Sequence, residues 1–158
     1  MNIQLGQYAG FCFGVDRAVS MVEEAAKAGG TVVTLGPIIH NHHVVDRFQR
    51  MGVEVANSPE EVRPGSTVVL RAHGVPRQVE ETLAGLPVQV VDATCPFVKR
   101  IHRLVQEAEA EGRTPVIIGT RTHPEVVGIA SWCWRGMVFE GPEELERWAA
   151  LPETSPGL

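Results

Sequence analysis

Four short runs of β-branched and aliphatic residues punctuate the chain: TVVTL (31–35), STVVLRA (66–72), VQVVDA (88–93) and TPVIIGT (114–120). Runs of that length, almost continuously apolar, predict strands buried on both faces, as in a parallel sheet. Between them, VDRAVSMVEEAAKA (15–28), VPRQVEETLAGL (75–86) and PFVKRIHRLVQEAEAEG (96–112) repeat apolar residues at intervals of three and four. That is the period of a helix with one buried stripe, and Gly112 ends the last of them. The alternation of strand and helix predicts an α/β fold with right-handed crossovers. From residue 141, GPEELERWAALPETSPGL predicts a capped helix and then a Pro/Ser/Gly tail. One strand ends and a long helix begins between Ala93 and Pro96, which divides the chain into a first α/β unit, residues 1–94, and a second, incomplete one, residues 95–158.

Composition narrows the function classes. At 158 residues, 44% hydrophobic and 21% charged, the chain has the makeup of a soluble globular protein. A net charge of −5 with scattered basic residues excludes a general nucleic-acid binder, which needs a positive stripe to release counterions. No apolar run approaches the roughly 18 residues of a membrane span. The start, MNIQLGQYAG, lacks a basic region followed by an apolar one, so the expected location is the cytoplasm. The three cysteines, at 12, 95 and 133, are odd in number and lack a CxxC pair, so neither a disulfide framework nor a structural zinc site is indicated.

The chemistry-bearing residues fall on the loops. Cys12 in GFCFG and Cys95 in DATCPF are each expected to follow a strand at its carboxyl end and to precede a helix. In an open α/β sheet, ligands bind at that edge, where helix N-termini point amide N–H groups at the site. Taken singly, either cysteine reads as readily as a small buried hydrophobe as it does as a functional thiol, nucleophile or metal ligand. Together, two thiolates meeting in one crevice suit a metal or cluster. His40 after the run 31–35, His73 after the run 66–72 and His123 after the run 114–120 put an imidazole on each of three strand-to-helix loops at the same expected edge. Imidazole donors suit a diphosphate, and Gly74 after His73 lets the backbone approach an anion closely. Glu125, beyond Pro124 at a helix start, is either a carboxylate favoured by the helix terminus or a proton carrier facing the crevice. His42 and His43 carry no such expectation, and His102 lies within a helical pattern. Cys133, between Trp132 and Trp134, reads as a buried residue.

Five motifs, GFCFGVDRAV, GPIIHN, RAHGV, DATCPFVKRIH and THPEV, occur in one order across residues 10–128. Together they resemble the N-terminal part of the 4-hydroxy-3-methylbut-2-enyl diphosphate reductase family. The resemblance implies three similar α/β domains around a [4Fe-4S] cluster held by three cysteines, with one iron open to the substrate hydroxyl. Cys12 and Cys95 match the first two ligands. His40 and His73 match diphosphate-binding histidines, His123 a substrate-contacting histidine, and Glu125 the acid that delivers protons. The implied reaction is a two-electron reductive dehydroxylation of an allylic diphosphate to isopentenyl and dimethylallyl diphosphates and water. Its electrons come from a ferredoxin or flavodoxin partner.

The chain is expected to cover the first of those domains and most of the second. The third cysteine ligand and the third domain belong beyond Leu158, so turnover by this chain alone is not expected. Two other readings stay open: a non-catalytic iron-sulfur module, and a phosphate-ligand-binding α/β domain without metal. The stretch IASWCWRG departs from the small, glycine-containing sequence usual in the family.

Overall fold

The computed structural model describes residues 2–7 and 9–151; the expected Pro/Ser/Gly tail lies outside the described residues. In chain order the elements are α1 (Phe13–Ala28), β1 (Val32–Leu35), α2 (His42–Arg50), β2 (Glu54–Ala56), a 3-10 turn (Pro59–Glu61), β3 (Thr67–Leu70), α3 (Arg77–Ala84), β4 (Gln89–Asp92), α4 (Pro96–Ala110), β5 (Val116–Ile118), α5 (Pro124–Ala130), β6 (Met137–Phe139) and α6 (Pro142–Ala149).

All pairing is parallel. The larger sheet runs β2-β1-β3-β4, and β5 pairs with β6 in a second sheet. In the larger sheet the chain moves outward from β1 to β2 and then returns to place β3 on the other side of β1. The strand order therefore reverses between β1 and β3, and crevices at such switch points are where open α/β sheets take ligands.

Side chains alternate across the central strands. Val32 and Val69 face one layer with Ala18, Val19 and Val22 of α1 and Val44 and Phe48 of α2. Val33, Leu35, Val68 and Leu70 face the other with Leu83 of α3. Helices on both faces explain why these runs are apolar throughout. A smaller core joins Val105 of α4, Ile117 of β5, Ile129 of α5 and Cys133.

Each of the four runs expected as strands contains one, and each expected helix forms. Two short strands and α2 lack a sequence signature. β2 and β6 have three residues each, and of β2 only Ala56 is buried. α2 buries only Val44 and Phe48, so its apolar stripe is two residues long, and the Asn41 side chain accepts from the Val44 N–H to start it. Among the described residues the expected strand before Cys12 does not form. The stretch contains Gly6 and Gly10, Ile3 and Leu5 are 78% and 89% exposed, and Ala9 N–H donates locally to Gly6 O.

Leu70 lies at the centre of the larger sheet and is 1% exposed. Leu70→Ala is expected to cost about 2–5 kcal/mol of unfolding free energy, by lost transfer energy and the cavity left behind. Urea titration with an unchanged m-value checks it.

Candidate functional site at the switch point

The parallel ladder continues past the ends of the strands. Beyond β1, β3 and β4, the Ala72 N–H donates to Ile38 O at 3.1 Å, and the Cys95 N–H donates to Ala72 O at 2.9 Å. Three loops are thereby tied side by side: the one ending in His40, the one carrying His73, and the one ending in Cys95. The middle loop turns sharply. Gly74 adopts φ +77°, its N–H donates to Arg71 O at 3.0 Å, and its carbonyl accepts from Arg71 Nε at 3.0 Å. A side chain at Gly74 would also strike His102 and Thr94, so only glycine makes this turn.

The rings of His40 and His73 lie 4.3 Å apart between centroids. His123 joins them at 6.1 Å from His40 and 6.3 Å from His73. All three expected imidazoles thus meet, although from two sheets rather than one edge: His123 follows β5 of the smaller sheet and caps α5. Its Nδ1 accepts from the Glu125 N–H at 3.2 Å, which leaves the proton of the neutral ring on Nε2. Glu125, in the first turn of α5, shares a cleft of about 420 Å³ with His123, Ile101, Val105, Ile118 and Ile129. Glu125 and His123 thus line one cleft whose other wall is apolar.

His73 is the electrostatic centre of the group. Burial pushes its pKa down, and nearby His40, Arg71 and His123 push it further, to about 4. Arg71 is itself driven below its ordinary value by burial. A cluster of imidazoles with a half-buried guanidinium, all within reach of one another, favours an anion that relieves their mutual repulsion. Arg71, within RAHGV, was not singled out by the sequence; only the turn that folds its side chain back on Gly74 shows its place.

Cys12 and Cys95 each cap a helix, α1 and α4, and neither thiol is spent on a capping bond. A side chain at Gly14, two residues beyond Cys12, would lie 2.5 Å from Cys95 Sγ, so the second thiol rests against the first turn of the helix that the first one caps. Arg17 fastens that helix to the Cys95 loop through Thr94 O at 3.3 Å and Asp92 O at 3.4 Å. Burial raises the pKa of Asp92, but bonds from Lys99 and from Thr94 outweigh it and hold the carboxylate below its ordinary value. Phe11, Phe13 and Phe97 flank the two cysteines and are 47%, 64% and 68% exposed. Among the described residues no group of three or more His, Cys, Asp or Glu is arranged to hold a metal ion. Two unencumbered thiols with a glycine cradle between them fit a part of a thiolate ligand set. Cys133 is buried in the smaller core, its Sγ toward Ala130 O, and burial and the nearby Glu109 raise its pKa.

A family model described as LytB protein matches residues 3–154. The 4-hydroxy-3-methylbut-2-enyl diphosphate reductase of Aquifex aeolicus is 42% identical over 150 residues, 92% of this chain and 52% of its own length. That of Geobacter sulfurreducens is 46% identical over 142 residues, 90% of this chain and 48% of its own. Among solved structures, one of (E)-4-hydroxy-3-methyl-but-2-enyl diphosphate reductase, the terminal enzyme of the non-mevalonate pathway, superposes with a TM-score of 0.80 at 42% identity. It is matched over 92% of this chain and 53% of that one. The Plasmodium falciparum E-1-hydroxy-2-methyl-but-2-enyl-4-diphosphate reductase superposes with a TM-score of 0.86 at 28% identity, over 89% and 45%. The chain spans about half the length of the curated relatives it matches.

The depressed His73 pKa has a consequence for stability. As pH falls, the exposed ring of the unfolded chain binds its proton near 6.5, whereas the folded one waits until about 4. Above 6.5 this residue leaves stability unchanged; between 6.5 and 4 it subtracts from it progressively; below 4 its effect is constant. The urea midpoint of the wild type is expected to fall through that window more steeply than that of His73→Gln.

Proposed function

The chain belongs to the LytB family, and from that premise we propose that it supplies the diphosphate-binding histidines and two iron ligands of a 4-hydroxy-3-methylbut-2-enyl diphosphate reductase. The observation that carries this reading is the meeting of three imidazoles within 6.3 Å, the central one on a loop hydrogen-bonded to the Cys95 loop. Anion and cluster chemistry would then stand side by side at one switch point.

His40, His73 and His123 bind the diphosphate of the substrate. The neutral His73 ring starts with one N–H, and the arriving anion raises its pKa, so that it takes up a proton and converts to a charged donor. His123 presents its Nε2–H because Nδ1 is engaged by the α5 backbone. Arg71, held against the Gly74 turn, adds fixed positive charge behind His73. Cys12 and Cys95 hold a [4Fe-4S] cluster together with further ligand capacity, and the exposed phenylalanines beside them exclude water. When bound, such a cluster supplies electrons and a Lewis-acidic iron. Glu125 carries the proton that the departing hydroxyl needs to leave as water. The reaction breaks the allylic C–O bond and forms a C–H bond, consuming two electrons and two protons and yielding isopentenyl or dimethylallyl diphosphate and water. Ferredoxin or flavodoxin donates the electrons. Free thiols at positions 12 and 95 need a reducing compartment, which agrees with the cytoplasm.

Two measurements test the reading. Anaerobic incubation with ferrous iron and sulfide is expected to produce cluster absorbance that Cys12→Ser and Cys95→Ser each abolish; unchanged iron uptake in both variants would refute the ligand assignment. Calorimetric titration with (E)-4-hydroxy-3-methylbut-2-enyl diphosphate is expected to show proton uptake and tighter binding as pH falls from 8 to about 6. His40→Ala and His73→Ala should each cost about 1.5–3 kcal/mol, roughly ten- to a hundredfold in Kd. Binding indifferent to both substitutions would remove the histidines from the diphosphate site.

A further inference from the structure

Below the His73 turn lies a histidine that the proposed chemistry does not use. His102, between Val98 and Val105 in the buried stripe of α4, is 5% exposed. Its ring stacks on Trp132, with centroids 5.4 Å apart and planes 22° from parallel. Burial lowers its pKa against the opposing pull of Asp92, so the ring is neutral and holds a single N–H. Nε2 is buried and has no hydrogen-bond partner.

The surroundings of that nitrogen are specific. A side chain built at Gly74 would meet His102 Cε1 at 3.0 Å and Nε2 at 3.6 Å, so the imidazole lies directly under the turn. One built at Gly128 of α5 would find His73 O at 3.8 Å, Val75 O at 3.9 Å and His102 Nε2 at 3.9 Å. The unpaired nitrogen and two carbonyls of the His73 turn therefore border the same gap, which the absent side chain of Gly128 leaves open. Trp132 comes from the stretch IASWCWRG, between α5 and β6.

We propose that His102 is a positioning residue for His73: clamped by Trp132, its imidazole supports the Arg71–Val75 turn, with Nε2 bordering the gap that the carbonyls of His73 and Val75 also line. The effect on ligand affinity rests on the reading of His73 as a diphosphate ligand, whereas the effect on the His73 ring itself does not. On the other side the turn is held by Ile38, Cys95 and the Arg71 side chain. His102 is the support from beneath. Removing it lets the turn sag and His73 reach water, and the ring, which faces His40, Arg71 and His123, then regains part of its ordinary basicity.

The test measures the His73 ring by histidine-selective NMR without ligand in His102→Phe, His102→Gln and Trp132→Leu, and the affinity for inorganic diphosphate by calorimetry in these three and in His73→Ala. His102→Phe keeps an aromatic ring on Trp132 but loses the ring nitrogens. It is expected to move the His73 midpoint up from about 4 toward 6.5 and to weaken diphosphate binding roughly three- to tenfold. His102→Gln, whose amide places a nitrogen near the position of Nε2, should restore both. A folded His102→Phe with His73 titration and affinity both unchanged would overturn the proposal. Where His102→Phe does not fold, Trp132→Leu, which withdraws the clamp, should give the same shift in smaller degree, and no shift there counts equally against it. His73→Ala with unaltered diphosphate affinity, beside a shifted His73 ring in His102→Phe, would refute the ligand reading while upholding the positioning role.

Discussion

The pair of backbone hydrogen bonds at Ala72, its N–H to Ile38 O and its carbonyl from the Cys95 N–H, is the constraint on which the site depends. Strand pairing normally ends where the chain leaves the sheet, and the loops beyond then go where their own sequences send them. Here the pairing of β1 with β3 and of β3 with β4 extends one step into the loops. His40, His73 and Cys95, which are 33 or 22 residues apart along the chain, are thereby held in register like neighbours on adjacent strands. The accuracy of the site derives from the stiffness of a sheet whose central strands are buried on both faces.

That stiffness works against the electrostatics of the free chain. Three imidazoles and a half-buried guanidinium are crowded together, and burial, with His40, Arg71 and His123 beside it, keeps the central His73 ring neutral. A sheet-anchored arrangement holds them there regardless, ready for an anion that makes the same proximity favourable. The cysteine half of the site is organised by a different means: small residues and a single arginine. Gly14 leaves room for Cys95 Sγ, and Arg17 ties α1 to the carbonyls of Asp92 and Thr94. Cys12 thus reaches the site without a strand before it.

How far the sequence discloses this follows from the length of each signal. Runs such as TVVTL and STVVLRA are long enough to mark buried strands, and the loop after each is where the histidines fall, so His40 and His73 are legible from spacing alone. β2, β6 and α2 are not, because two or three buried residues make no period. The loop before Cys12 misleads for a related reason: Ile3 and Leu5 are followed by Gly6 and Gly10 and stay exposed. The contribution of His123 from a second sheet, the folding of the Arg71 side chain onto Gly74 and the placement of His102 beneath the turn are tertiary facts. A buried imidazole in a helical stripe looks like any other core position until the glycines above it are located in space. Membership of a family explains why the motifs stand in their order; the ladder explains why that order assembles a site.

The most direct test is native-state hydrogen exchange of the Ala72 and Cys95 amides. If the ladder holds the loops as it holds the strands, both amides exchange only through global unfolding, with the same opening free energy as Val69 in the middle of β3. Exchange of Ala72 and Cys95 at the rate of ordinary loop amides, with Val69 still protected, would show that the sheet does not organise the site.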